Sequence, residues 1–193
     1  VAASLSVGGL PHGVSIGDLD ADGLLDLVSA NETSNGVSVL VGLAGGGFAA
    51  ATGFGTGAFA PYSVAIGDLN ADGRPDVVTA NSGSKNLSVL LGQGAGAFGA
   101  AMKFGVGTLP YSVAIGDLSG DGIVDVAAAN ASSNDVSVLA GNGAGGFGPA
   151  TSFDAGQFPE SVAIGDLDGN GKRDLATANY LSSSVSVLLN QSP

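Results

Sequence analysis

The sequence predicts an all-β fold made of four blades with four short strands each. Three observations lead to this prediction. A unit of about 49 residues occurs four times in the 193-residue chain, each unit holds four short strand-forming stretches separated by turns, and no stretch between turns has the length of a typical helix. A repeat of about 40 to 50 residues with four strands is the signature of a β-propeller blade. We therefore expect residues 1–193 to form a single β-propeller domain.

The four copies are most alike around an acidic run. The second copy reads "VAIGDLNADGRPDVVTAN", and the four runs start at Asp18, Asp68, Asp117 and Asp166. A small sheet cannot bury both of its faces by itself, so neighbouring blades have to stack. The even spacing of the copies therefore predicts blades that depend on one another for their core.

The second copy shows the strands of one blade. In the first strand, Val64 and Ile66 alternate with Ala65 and Gly67, a period of two that is typical of a strand. "DVVTAN" is predicted as the second strand, "LSVLLG" at residues 87–92 as the third, and "AFGAAMKF" at residues 97–104 as the fourth. We name these strands a, b, c and d.

The two ends of the chain predict how the ring closes. The sequence stops after a strand c, so the fourth blade lacks its strand d. Leu5 precedes Asp18 by the same number of residues that separates Phe104 from Asp117, which places residues 1–7 in the position of a strand d. We expect this segment to complete the fourth blade and close a four-bladed ring, which removes an exposed sheet edge. A half-ring that dimerises into eight blades satisfies the same pattern.

Charge and composition exclude several classes of function. The net charge is -12 with only five Lys and Arg residues, which argues against binding to nucleic acid or to an anionic membrane. The chain has no cysteine and therefore no disulfide or thiolate metal site. No apolar run reaches the roughly 18 residues of a membrane span. Since the chain starts at Val1 without a signal-like segment, we expect a processed form or an excised piece.

Each acidic run has the donor pattern of a cation site. Oxygen-bearing side chains stand at positions 1, 3, 5 and 9 of the run, and a Gly at position 6 permits a positive φ in the sharp bend. Hard oxygen donors in a flexible loop favour Ca²⁺ over Mg²⁺. We expect about four Ca²⁺ per chain, with the backbone carbonyl at position 7 as a further ligand. The predicted ligands are Asp18, Asp20, Asp22, Leu24 and Asp26; Asp68, Asn70, Asp72, Arg74 and Asp76; Asp117, Ser119, Asp121, Ile123 and Asp125; and Asp166, Asp168, Asn170, Lys172 and Asp174.

The pattern matches only the first half of an EF-hand loop. An EF-hand needs Glu at position 12, where these runs have Ser29, Thr79, Ala128 and Thr177. The loops are therefore expected to sit in β-hairpins. Asp, Asn and Gly also favour turns without any metal, but four runs with one ligand spacing favour the metal interpretation. The first run has carboxylates at all four positions and should bind most tightly.

With the acidic runs, "VAIGDL" and the Phe-Gly turns at residues 98–99 and 147–148 in view, the chain resembles the FG-GAP repeats, also called VCBS-like repeats, of integrin α-subunit propellers and bacterial surface proteins. The resemblance covers the whole chain. It implies calcium in the hairpins between strands a and b, and a secreted or cell-surface location. Two features depart from the family pattern: Ala49 replaces the Gly of the first Phe-Gly turn, and four repeats are fewer than the seven of the integrin ring.

The resemblance also implies a ligand face opposite the acidic loops, formed by the d–a and b–c loops. His12, Tyr62, Tyr111 and Glu160 occupy one equivalent position on this face. The b–c loops "ETSNG", "SGSKN", "ASSND" and "YLSSS" also differ between copies. Such variation suits a glycan or protein ligand on a rigid scaffold, and it equally suits loop tips that nothing constrains.

Catalytic groups are scarce in the sequence. His12 is the only histidine and there is no cysteine, so nucleophile–base pairs that need them are excluded or nearly so. "GNGAGG" at residues 141–146 precedes Pro149 and no predicted helix, so it is a turn and not a dinucleotide site. These observations predict a calcium-binding adhesion or binding module that is not an enzyme, monomeric or homodimeric. A structural spacer or engineered scaffold is the alternative, and a polysaccharide-active enzyme is less favoured.

Overall fold

The computed structural model describes residues 4–191, where all of the regular structure is β. The first blade pairs its strands in the order β1-β2-β3-β6, all antiparallel, with a small β4–β5 hairpin between strands c and d. Its strands are β1 (Pro11–Gly17), β2 (Asp26–Asn31), β3 (Gly36–Leu40), β4 (Gly42–Leu43), β5 (Gly47–Phe48) and β6 (Thr52–Gly55).

The second blade repeats this arrangement, and the third has the same four main strands with a single Gly141–Phe147 bridge in place of the small hairpin. The part of the fourth blade within residues 4–191 has three strands. The second blade consists of β7 (Pro61–Gly67), β8 (Asp76–Asn81), β9 (Asn86–Leu90), β10 (Gly92–Gly94), β11 (Ala97–Phe98) and β12 (Met102–Gly105). The third consists of β13 (Pro110–Gly116), β14 (Asp125–Asn130), β15 (Asp135–Leu139) and β16 (Thr151–Asp154), and the fourth of β17 (Pro159–Gly165), β18 (Asp174–Asn179) and β19 (Ser184–Leu188). Strands a, b and c are thereby found in all four units, except that strand c of the second unit ends at Leu90, before the predicted Leu91 and Gly92.

The core lies between the blades, because alternate residues of strand b face opposite neighbours. In β8, Val77 packs into the cluster shared with the first blade, and Val78 packs into the cluster shared with the third. Both side chains are fully buried. The alternation of Val, Leu and Ala along these strands therefore supplies two inter-blade cores from one strand.

Predicted strand d is shorter than expected. Residues 97–104 were expected to form one strand, but Ala97–Phe98 pairs with Gly92–Gly94 in a small hairpin, and strand d starts only at Met102. The hairpin turns at Ala95 and Gly96, which both adopt positive φ. This turn directs Phe98 into the core, where its side chain is 8% exposed.

The predicted closure of a four-bladed ring is not found. Among residues 4–191, β19 pairs only with β18, and residues 4–7 are not part of any sheet. The outward faces of the end blades are exposed, with Val14 65% and Val185 67% exposed. Within residues 4–191 the four sheets therefore form an open arc. Leu5, Ser6 and Val7 line a surface cavity together with Ser38 and Leu40 of the first blade, and they do not pair with β19. Residues 1–3 of the predicted closing segment lie outside the described residues.

Candidate metal centres and opposite face

Each acidic run forms the connection between strands a and b, as predicted. In the first run, the two carboxylate oxygens of Asp18 accept hydrogen bonds from the backbone N–H groups of Ala21 (2.8 Å) and Gly23 (2.9 Å). The first Asp of every other run accepts the same bond from the Gly at position 6, also at 2.9 Å. The four loops therefore have one common conformation, set by the Asp at position 1.

The backbone of the loop requires two left-handed residues. Gly23, Gly73, Gly122 and Gly171 at position 6 have φ between 80° and 87°, as the sequence predicted. Position 4 is also left-handed, and here the first two copies carry Ala21 and Ala71 where the later copies carry Gly. A side chain at positive φ costs roughly 1 kcal/mol. This strain at position 4 was missed because Ala gives no sequence signal for it.

Two of the four loops bring three carboxylates together. Ligand oxygens of Asp18, Asp20 and Asp22 all lie within 4.8 Å of one another, and so do those of Asp166, Asp168 and Asp174. The other two runs replace one of these carboxylates by Asn70 or Ser119, whose oxygens are also hard donors. The structure therefore confirms two acidic clusters of a type that can hold a metal ion.

Asp20 of the first loop lies among neighbouring carboxylates. Desolvation raises the pKa of Asp20, and the neighbouring carboxylates of Asp22, Asp26 and Asp18 add to the effect, against a hydrogen bond from the Asp22 N–H. A cation among these groups would remove that repulsion. The donor set, all oxygen and mostly anionic, therefore fits a hard divalent ion.

The Asp at position 9 has a second role that the sequence did not predict. Asp26, Asp76, Asp125 and Asp174 are at most 2% exposed. One oxygen of each accepts the N–H of position 2 in its own run, and the other accepts the N–H of a residue just after strand c, at 2.7 or 2.8 Å. Each of these carboxylates thereby ties the acidic loop to the end of strand c. That the position 9 carboxylates and the position 7 carbonyls bind metal stays a prediction.

The opposite face carries a row of stacked rings. His12 stacks on Tyr62 with ring centroids 4.1 Å apart, and Tyr62 stacks on Tyr111 at 4.4 Å. The row continues edge-on to Phe158 at 5.8 Å. The structure thus brings together three of the four residues predicted for a ligand face, and sequence analysis missed Phe158.

Charged groups border this row of rings. The imidazole Nε2 of His12 lies 2.6 Å from Oε2 of Glu32. Desolvation is the main cause that raises the pKa of the Tyr111 hydroxyl, with further contributions from Tyr62 and the exposed Glu160 carboxylate. Glu160, the fourth predicted residue, therefore lies near enough to act electrostatically on the stack.

An apolar cavity of about 350 Å³ opens between the third and fourth blades, with Leu118, Val138, Phe153 and Leu175 among its lining residues. At the other two junctions the equivalent space is filled by a Phe from the segment between strands c and d. Phe98 meets Phe54 edge to face at 5.3 Å, and Phe147 meets Phe104 at 5.4 Å. The cavity therefore lies where the other two junctions hold a Phe.

The sequence matches a known family over most of its length. A model described as an FG-GAP-like repeat matches three overlapping segments, residues 18–79, 68–128 and 117–177. Among curated proteins, no significant match is found. The three segments begin at the first Asp of successive acidic runs, so the family pattern coincides with the loops described above.

Solved structures share the fold at low sequence identity. A streptogramin B lyase is similar with a TM-score of 0.67 and 14% identity, covering 98% of this chain and 55% of that one. BBS1N, solved in complex with ARL6DN, is similar with a TM-score of 0.61, 14% identity and coverage of 98% and 59%. Virginiamycin B lyase from Staphylococcus aureus has a TM-score of 0.56, 12% identity and coverage of 95% and 56%. The chain therefore spans a little over half the length of these proteins.

These neighbours correct the prediction that the chain is not an enzyme. Two of them are lyases, so this fold accommodates catalysis. The prediction was drawn from the single His and the absence of Cys, which exclude only some kinds of active site. At 12% to 14% identity the likeness shows the fold alone.

Proposed function

Because the chain belongs to the FG-GAP-like repeat family, we propose that it is a calcium-stabilised binding module of β-propeller type. Its a–b loops hold Ca²⁺, and its opposite face binds a glycan or an extracellular protein. The observation that carries the proposal is the loop conformation common to all four blades, in which Asp at position 1 accepts the N–H of Gly at position 6. A secreted or cell-surface location belongs to the same proposal.

Different positions of each acidic run would supply different ligands to the ion. Oxygens at positions 1, 3 and 5 supply the negative charge, as in the cluster of Asp18, Asp20 and Asp22. The Asp at position 9 contributes where it joins the cluster, as Asp174 does with Asp166 and Asp168. A bound Ca²⁺ would supply charge neutralisation and structural stability. If its Kd were about 100-fold below ambient calcium, each site would contribute roughly 2.7 kcal/mol to the folded state.

The ligand face is proposed from two observations. The His12, Tyr62 and Tyr111 rings form a continuous stack bordered by carboxylates. Next to the stack, the residue that precedes the first proline of each strand a has a positive φ. These residues are Leu10, Ala60, Leu109 and Phe158. A rigid loop face with aromatic and acidic groups suits ligands that offer apolar and hydrogen-bonding surfaces. Residues 4–191 contain no helix that could cross a membrane.

Calorimetric titration of chelator-treated protein tests the calcium sites. We expect about four Ca²⁺ per chain, with the tightest site in the first loop. Asp18→Asn in that loop should remove the tightest site, and Asp154→Asn, outside every run, serves as the control. Binding of none or one ion per chain would refute the proposal.

A glycan and matrix-protein binding array tests the ligand face. We expect binding that is lost in Tyr62→Ala and retained in Lys172→Ala, which lies on the calcium side. If no glycan or protein on the array is bound, the alternative of a structural spacer is favoured. Turnover of a polyanionic glycan would instead assign an enzymatic function to this face.

A further inference from the structure

The two ends of the arc carry complementary halves of one contact. At each internal junction, a Gly at the end of strand a packs against an Ile of the next blade. A Cβ at Gly67 would lie 3.2 Å from Cδ1 of Ile115, and a Cβ at Gly116 would lie 3.1 Å from Cγ2 of Ile164. In the fourth blade, a Cβ at Gly165 would have no heavy atom nearer than 4.0 Å. In the first blade, Ile16 is 62% exposed.

The apolar residues on the outward faces of the first and fourth blades are also left without a neighbouring blade. Val64, Val113 and Val162 in strand a are each 7% exposed, because the preceding blade covers them, whereas Val14 is 65% exposed. On the other end, Val185 and Val187 of strand c are 67% and 54% exposed, at positions where the second blade buries its Leu and Val completely. Each end face therefore has the apolar side chains of an internal junction but no adjacent blade that covers them.

The outer strands are complementary in the same way. Among the residues that the structure describes, none pairs with the outer edge of β19, whereas β3, β9 and β15 each pair with an outer strand d. Before the first blade, the Gly8 N–H donates to Ser38 Oγ at 3.1 Å, as Gly107, which follows strand d of the second blade, donates to Ser137 Oγ at 3.3 Å. Residues 4–7 therefore stand where the strand d of a preceding blade would stand.

We propose that two copies of this chain associate head to tail and close into one eight-bladed ring. Ile16 of one copy packs on Gly165 of the other, and residues 4–7 of one copy pair with β19 of the other as its strand d. When the two ends of each copy are both used within one pair, the ring has two-fold symmetry and leaves no free edge.

The solution mass of the chain in calcium-containing buffer tests this proposal. We expect a dimer by sedimentation or light scattering. Gly165→Phe should give a monomer with unchanged circular dichroism, since open space surrounds the added side chain within its own copy. Gly53→Phe, in an equally open position of β6, is the matched control and should remain dimeric.

A mixing experiment separates the head-to-tail contact from nonspecific association. Ile16→Asp and Gly165→Phe should each be monomeric alone, because each loses one end, but a mixture should form dimers through the two intact ends. A monomeric wild type, an open polymer, or a Gly165→Phe variant that stays dimeric would each overturn the proposal. Calcium binding by a monomer would leave the proposed function intact.

Discussion

The backbone N–H of Gly141 donates a 2.8 Å hydrogen bond to Oδ1 of Asp125, which precedes it by 16 residues. The second oxygen of Asp125 accepts the N–H groups of Leu118 and Ser119 at 2.9 and 3.0 Å. One buried carboxylate thus joins the acidic loop to the end of strand c. The same arrangement occurs in all four blades, which makes position 9 of each run part of the fold as well as of a candidate metal site.

Asp125→Asn should therefore destabilise the protein with or without calcium. An amide keeps one acceptor but turns an NH₂ group toward a backbone donor, so we expect a loss of about 1 to 3 kcal/mol in the free energy of unfolding. Asp121→Asn, at exposed position 5 of the same run, is the control and should lose stability only in calcium buffer. Urea unfolding with and without chelator measures both. Equal behaviour of the two variants in chelator would contradict the structural role of Asp125.

Ala71→Gly should stabilise the protein, because Ala71 adopts a φ of 57° in the second loop. Glycine has no Cβ to strain this conformation, and we expect a gain of about 0.5 to 1 kcal/mol after the entropic cost of glycine. Ala50→Gly, at an exposed position without positive φ, should instead reduce stability by a few tenths of a kcal/mol up to about 1 kcal/mol. Thermal unfolding of the calcium-free proteins measures the difference, and a loss of stability in Ala71→Gly would contradict the prediction.

The acidic loops should titrate unequally in calcium-free protein. Hydrogen bonds lower the pKa of Asp117, chiefly from the Gly122 N–H, and that of Asp174, chiefly from the Asn190 N–H. Their contribution to stability is present above the ordinary carboxyl pKa of about 3.9 and is lost as the pH falls through the lowered values. Burial raises the pKa of Asp76, so protonation of this group favours the folded state as the pH falls. Carboxyl ¹³C NMR should show Asp76 titrating at higher pH than Asp117, and the reverse order would refute this.

The cavity beside Phe153 should accept a phenylalanine. Appending a copy of residues 145–150, "GGFGPA", after the last residue places a Phe at the spacing that Phe147 has from β15. Burial of the ring should raise stability by about 1 to 2 kcal/mol after the cost of ordering the extension. The same extension with Ala in place of Phe is the control. If both extensions give the same melting temperature, the cavity is not the slot for this side chain.

Much of the architecture followed from local patterns in the sequence. Alternation at Val64 and Ile66 predicted strand a, the spacing of Asp68 and Gly73 predicted the loop conformation, and the repeat length predicted the blade. These features depend on residues close together in the chain, where strand period and backbone sterics decide the outcome. The prediction of one strand over residues 97–104 was wrong because a turn at Ala95 and Gly96 folds Ala97–Phe98 back onto Gly92–Gly94, and strand d starts only at Met102.

The sequence by itself determined the repeat, its strands and the grouping of oxygen donors, since each is encoded within one copy. Only the tertiary structure decided that four blades leave an open arc, that the position 9 carboxylates also bind strand c, and that three aromatic rings stack across separate blades. The physical reason is that these features depend on the angle and distance between neighbouring blades. Those quantities arise from the packing of Gly against Ile and of Phe into its slot, summed over contacts between residues about 50 positions apart.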